Sequence, residues 1–322
     1  MIRPIALLAA LVLTAISVSS ACMASPGRSM AFTLRAYPDR SDVQFSLRRG
    51  DSPNHGMMSS SFDAAQLSGL DVATLRGAGQ HPIHFAFNRD AGRVDCDGSG
   101  GNSVASGRCT FIQDAGFADF LAARGVGRPS FEQAYDLTMT GATRDLVNAL
   151  AQYRYPRPNI DKLTELAAVG VKRSYIAGLA GRGFTPKTLD ELTEFAALEV
   201  TPEYIDALAR SGYRGLSGEE ITQLKAVGVD PAFIAALASA GYRNLSTDEL
   251  EQMAALQIDP AFINSFARVG YADLPVDTLV ELKALRVTPE YVRSLQAQGV
   301  HPSSADQLVK FKAAGLDDNG KR

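Results

Sequence analysis

Apolar residues return at a fixed interval over the last two-thirds of the chain. One column reads Phe117, Leu146, Tyr175, Tyr204, Phe233, Phe262, Tyr291, each 29 residues after the last. Four residues on stand Leu121, Leu150, Leu179, Leu208, Leu237, Phe266 and Leu295. Eight residues on, glycine recurs at 125, 183, 212, 241, 270 and 299, with Arg154 in the remaining place. Self-similarity at such a period marks a stack of supersecondary units, each too small to bury its own apolar face.

Within one copy, Val200 to Gly228, Thr201-Pro202-Glu203 reads as a helix start. A hydroxyl takes an orphan backbone N–H, and proline at the first helical position forfeits nothing. Asp230-Pro231, Asp259-Pro260 and Thr288-Pro289 repeat the start, and Val200 with Ile205 forms a hydrophobic staple. Gly212 suits the left-handed stop, with Tyr213 packing back on Leu208. A second helix begins at Ser217, boxed by Glu220, and the box recurs as Ser130/Gln133, Thr188/Glu191, Ser246/Glu249 and Ser304/Gln307. Asn159 stands over Lys162 in one copy, and Pro275 replaces the cap in another. Ile221 and Leu224 point inward, matched by Leu192/Phe195, Leu250/Met253, Leu279/Leu282 and Leu308/Phe311. The column Ala168, Ala197, Ala226, Ala255, Ala284, Ala313 predicts a close approach of two helices. Each unit is thus a short αα-hairpin that needs its neighbours, because helices of about ten residues are marginal alone in water.

Ahead of the array the pattern changes. Residues 1–21 read as a secretory signal, with Arg3 in a short positive start and an apolar run from Ile5 to Val18. Cleavage after Ala21 or as late as Ala24 fits the small residues there; Cys22 beside Ala21 makes lipidation the alternative. Residues 30–112 contain neither Lys nor Glu and alternate in strand fashion at Phe32/Leu34, Val43/Phe45/Leu47 and Ile83/Phe85/Phe87. Short helical turns are expected near Asp63–Leu67 and Asp71–Leu75, a turn at Asp90-Ala91-Gly92, and a strand at Arg93–Cys96. A glycine-rich loop is expected from Asp97 to Gly107, then a last strand over Arg108–Ile112. The organisation predicted is α+β: a signal (1–21), a small antiparallel β-domain (30–112) and helical hairpin repeats (113–315). Of the repeats, 113–170 hold two degenerate copies and 171–315 five clear ones; 316–322 form a polar tail.

Composition changes the picture in two respects. A net charge of −3, with no basic block and no tryptophan, argues against a nucleic-acid partner. Three cysteines are odd for an exported chain. Removal or lipidation of Cys22 leaves Cys96 and Cys109 on the arms of the expected hairpin. A cross-strand disulfide there would contribute about 3 kcal/mol by loop entropy and requires an oxidising compartment.

Candidate chemistry is sparse. His81 and His84 should point to opposite faces of a strand and lack further zinc ligands. Asp95-Cys96-Asp97-Gly98 has a calcium-loop start without the later carboxylates, and Gly98, Gly100 and Gly101 precede no helix that would cradle a phosphate. Glu219, Glu220, Asp248, Glu249 and Asp277 fall in first helical turns, where they complement the macrodipole. No catalytic residue, cofactor site or metal site is assigned. One column that varies from copy to copy, Asp206, Ala235, Asn264, Arg293, is the candidate exposed binding column.

The repeat wording, as in the stretch Leu279 to Val292, resembles tails of bacterial exported proteins, some fused behind membrane zinc peptidases of the beta-lactam-sensor type. The stretch from Val43 through Phe111 into Phe117–Gly125 is similar to the segment preceding such repeats. The peptidase part, with its membrane helices and zinc motif, is absent, so its catalysis does not carry over. The signal-like start and the lack of another long apolar run predict a periplasmic or secreted chain, or one lipid-anchored through Cys22, with no membrane span in the mature chain. The function expected is a non-enzymatic interaction module whose partner is another envelope protein. The alternative is a receptor-like module holding a small molecule, peptide or wall fragment where sheet and array meet.

Overall fold

The computed structural model describes residues 29–49 and 57–316. The expected signal, Cys22 and the last residues of the tail lie outside that range. The chain divides into two compact units: residues up to 88 with 94–112, and residues 89–93 with 113 onward.

The first unit is one antiparallel sheet built from β1 (Ser29–Ala36), β2 (Asp42–Arg49), β3 (Met57–Asp63), β4 (Leu67–Ser68), β5 (His81–Arg89), β6 (Gly92–Gly101) and β7 (Val104–Gln113), in the order β3-β2-β1-β7-β6-β5-β4. Alternate residues of β1, β2 and β5 (Phe32, Leu34, Val43, Phe45, Leu47, Ile83, Phe85, Phe87) are buried, as strand periodicity requires. The sheet curls on itself. Phe62 on β3 and Phe87 on β5 lie 5.0 Å apart between ring centroids, although five strand spacings separate them, which would be roughly 24 Å in a flat sheet. Short turns form at Ala64–Gln66 and in α1 (Val72–Arg76), each capped by an aspartate, Asp63 and Asp71.

The expected glycine-rich loop does not exist. β6 runs on to Gly101 and β7 begins at Val104, so the chain turns at Asn102 and Ser103, both with positive φ. The glycines are there because the strands and the Phe32 ring leave no space above them. A Cβ at Gly98 would sit 2.2 Å from Ser106 O and 2.9 Å from Phe32 Cζ; one at Gly107 would sit 2.2 Å from Asp97 O. Glycine density was misread as looseness where it marks close packing. Cys96 and Cys109 are joined as expected, across adjacent strands with Cα atoms 4.0 Å apart.

The second unit carries seven helix pairs at 29-residue spacing among the described residues. The first helices are α2 (Ala115–Ala123), α4 (Arg144–Gln152), α6 (Arg173–Ala180), α8 (Pro202–Arg210), α10 (Pro231–Ser239), α12 (Pro260–Ala267) and α14 (Pro289–Ala297). The second helices are α3 (Phe131–Thr140), α5 (Ile160–Ala168), α7 (Leu189–Ala197), α9 (Gly218–Ala226), α11 (Thr247–Ala255), α13 (Val276–Ala284) and α15 (Ala305–Ala313). Thr201 Oγ1 accepts the Tyr204 N–H at 3.1 Å, and Asp114, Thr143, Asp230, Asp259 and Thr288 cap their helices in the same way. Lys172, in that column, makes no side-chain cap. Full capping boxes close at Ser130/Gln133, Ser217/Glu220 and Ser246/Glu249. At Thr188 and Ser304 only the hydroxyl half forms; Glu191 and Gln307 instead take the N–H of the residue before the cap.

The first helices stop as expected. Gly212 has φ +102°, and Tyr213 N–H reaches Leu208 O at 3.0 Å. Arg154 keeps the same geometry at φ +62°. The second helices end in a matching stop, with glycine at 141, 170, 228 and 315 and Glu199, Gln257 and Arg286 in the other three copies, all at positive φ.

The leucine and aromatic columns form two buried clusters along the array, one from Phe117 to Leu279 and one from Phe266 to Leu308, with Phe262 and Leu274 packed against both. The alanine column does not: Ala168, Ala197, Ala226, Ala255, Ala284 and Ala313 are exposed at the last helical position. No helix approaches there, and the residue fits its place as the strongest helix former. Tyrosine hydroxyls tie pair to pair: Tyr175 to Val200 O at 2.9 Å, Tyr204 to Val229 O at 2.7 Å, Tyr213 to Leu245 O at 2.9 Å and Tyr271 to Pro302 O at 2.8 Å. Burial raises each of these phenols above its ordinary pKa.

Candidate functional site

The site lies where the repeat breaks its own rule. Of the consecutive second helices, α7 and α9 approach each other least closely, and they meet where the Phe195 ring lies over Gly218. At three junctions, α3/α5, α5/α7 and α9/α11, a residue in the first turn of one second helix bonds to the first turn of the next. Gln133 Nε2 donates to Asp161 Oδ1 at 3.0 Å, and Thr247 Oγ1 donates to Glu220 Oε1 at 3.4 Å. Lys162 Nζ lies 2.5 Å from Glu165 and 2.6 Å from Asp190, and these two carboxylates raise its pKa.

Shifted by one or more periods, these partners become residues that cannot bond. Glu191 occupies the Lys162 place, Glu219 the Asp190 place, and Gly218 the Thr247 place. Two carboxylates and a glycine hold no bridge. In the preceding turn Lys187 is exposed, in a column that otherwise reads Pro129, Pro158, Leu216, Leu245, Leu274 and Ser303. Gly218 cannot readily be larger, since a Cβ there would meet Phe195 Cζ at 3.3 Å.

A groove of about 740 Å³ lies between α7 and α9. Phe184, Phe195 and Leu216 line its apolar part, and Glu191, Glu194 and Glu219 its acidic part, with Lys187, Thr222 and Gln223 also present. Phe195 is 5% exposed and holds its place in the core; Phe184 and Leu216 are half-buried and available for contact. No family model and no curated protein matches this chain. The groove has an apolar base with carboxylates on its walls. Among the described residues, no group of three histidines, cysteines or carboxylates is placed to hold a metal ion.

The sequence-predicted positions lie elsewhere. Ala235, Asn264 and Arg293 are exposed on successive first helices. Asp206 is half-buried and clamped by Arg182, with Nε at 2.8 Å and Nη2 at 2.5 Å, which holds the Asp206 carboxyl below its ordinary pKa. Arg293 in that column pairs with Glu290, while Asp206 ties α8 to the turn that follows α6. His84 Nδ1 lies 2.5 Å from Asp97, and the His81 ring lies 2.9 Å from Ala78 O, each explained by its local partner. Column reading missed Glu191, Glu194 and Phe184 as members of a site. One signal could have found it: Gly218 opening a helix.

Proposed function

We propose that this chain is an exported, non-enzymatic interaction module of the bacterial envelope that takes hold of a partner through the α7/α9 groove. The observation that carries the reading is the α7/α9 groove itself. Its half-buried Phe184 and Leu216 form an apolar base, beside the carboxylates of Glu191, Glu194 and Glu219, that solvent would otherwise wet. The Cys96–Cys109 bond favours an oxidising compartment. No single helix among the described residues is long and apolar enough to cross a membrane, which agrees with an extracytoplasmic chain. The partner expected is another envelope protein that presents an exposed segment.

Selection of displayed random peptides on the immobilised chain tests the reading, with Gln223→Trp as comparison because that exposed lining residue would fill the groove. Enrichment of related peptides that lose binding to the variant supports the groove as the contact site. Peptides that hold both proteins equally, or no enrichment over bare support, would overturn it.

A further inference from the structure

We infer that the groove is built for a cationic segment: a peptide whose lysine or arginine side chain lies between Glu194 and Glu219 while a neighbouring apolar side chain packs on Phe184 and Leu216. This deepens the interaction reading and rests on it.

The array supplies the template. One junction earlier, the Lys162 ammonium sits between Glu165 and Asp190. The residues 29 positions on from those two carboxylates are Glu194 and Glu219, and both line the groove. The pair of columns that holds an ammonium at the α5/α7 junction is therefore repeated at α7/α9. The chain's own cation is not, since Glu191 stands where the lysine would be. With Glu191 included, three carboxylates face one lysine in the lining, Lys187, which gives the groove an excess of negative charge. No ion pair joins Lys187 to any of the three among the described residues. An ammonium or guanidinium from outside would complete the bridging pattern that the chain makes with Lys162.

Apolar contact orients that occupant. Phe184 and Leu216 are half-buried beside the carboxylates, so a segment pairing a basic with an apolar side chain satisfies both parts at once. Neither part suffices alone. Exposed ion pairs are individually weak, and the apolar base is too small to specify a partner without the charge.

The closing experiment uses the intact chain and two fluorescein-labelled hexapeptides, one alternating lysine with leucine, the other with glutamine in place of lysine. Fluorescence polarisation should show the lysine peptide binding at least about tenfold more tightly than the glutamine peptide. The advantage should shrink at about 0.5 M salt, where the Debye length falls to roughly 4 Å. Glu191→Lys places a lysine at the Lys162 position, from which it can engage Glu194 and Glu219, and should abolish the advantage with the helical spectrum and melting midpoint held. Glu219→Gln should reduce it several-fold. Equal binding of both peptides, lost in Gln223→Trp, would overturn the charge inference and leave the groove reading standing. A lysine preference untouched by Glu191→Lys, or no binding of either peptide, would overturn this inference; the display selection then decides the groove reading separately.

Discussion

At the scale of single residues, the left-handed stops carry the sharpest expectations, because their cost is conformational and nearly free of contacts. Gly241 has φ +100°, and a Cβ there would meet nothing within 4 Å. Gly241→Val therefore removes no packing and adds no clash; it forces a β-branched residue into a region it disfavours, at roughly 1–2 kcal/mol. A lowered melting midpoint is expected, and an unchanged one would mean that the stop tolerates any residue. The reverse change tests the same physics. Gln257 holds φ +55° at a second-helix stop where four other copies have glycine. Gln257→Gly should raise stability by about 0.5–1 kcal/mol, the relief of strain exceeding the extra freedom glycine gives the unfolded chain. A lower urea midpoint would show that the left-handed conformation at Gln257 is not a strain the fold bears.

At the scale of elements, each helix depends on its start more than on its interior, since nine residues form too few bonds to repay nucleation. α6 is the exception in its column: Lys172 offers no acceptor where six other copies place Thr or Asp. Lys172→Asp should supply both an acceptor for the Tyr175 N–H and a negative charge at the helix start. A gain of about 1 kcal/mol is expected, read as a higher urea midpoint; no gain would mean that α6 is held wholly by its packing. Elements were also where sequence reading succeeded most. The column of caps, the stop glycines and the inward pairs such as Ile221/Leu224 are repeated residues, and repetition separates a structural demand from chance. The alanine column shows the limit of that logic: a repeated residue reports a repeated environment, and an exposed last turn is one. The groove was hidden for the opposite reason, because Gly218 is a departure, and a departure looks like noise until its neighbours are known. The Gly98–Gly107 stretch was opaque because glycine spells looseness and crowding with the same letter, and only the Phe32 ring above it distinguishes the two.

At the scale of the whole molecule, the tyrosines that join one helix pair to the next make the array's stability a function of pH. Burial pushes the phenols of Tyr155 and Tyr204 up to about 12, with Glu191 and Asp230 respectively adding to the shift, and raises Tyr175, Tyr213, Tyr242 and Tyr271 from their ordinary value as well. In the unfolded chain these groups release their protons near pH 10. Between that value and about 12 the unfolded chain therefore binds fewer protons than the folded one, and unfolding becomes more favourable as pH rises. The stabilisation is complete below pH 10 and is lost as pH climbs through the folded values. Since the six residues span the array from Tyr155 to Tyr271, the loss should appear as a fall of the main helical transition, with the urea midpoint level up to about pH 9 and dropping steeply beyond pH 10. Tyr175→Phe with Tyr204→Phe removes two of these groups and should flatten the drop, while lowering the midpoint at neutral pH by about 1 kcal/mol per lost hydrogen bond to Val200 O and Val229 O. A midpoint constant to pH 12, or one that falls as steeply in the double variant as in the parent, would show that these hydroxyls do not couple the helix pairs.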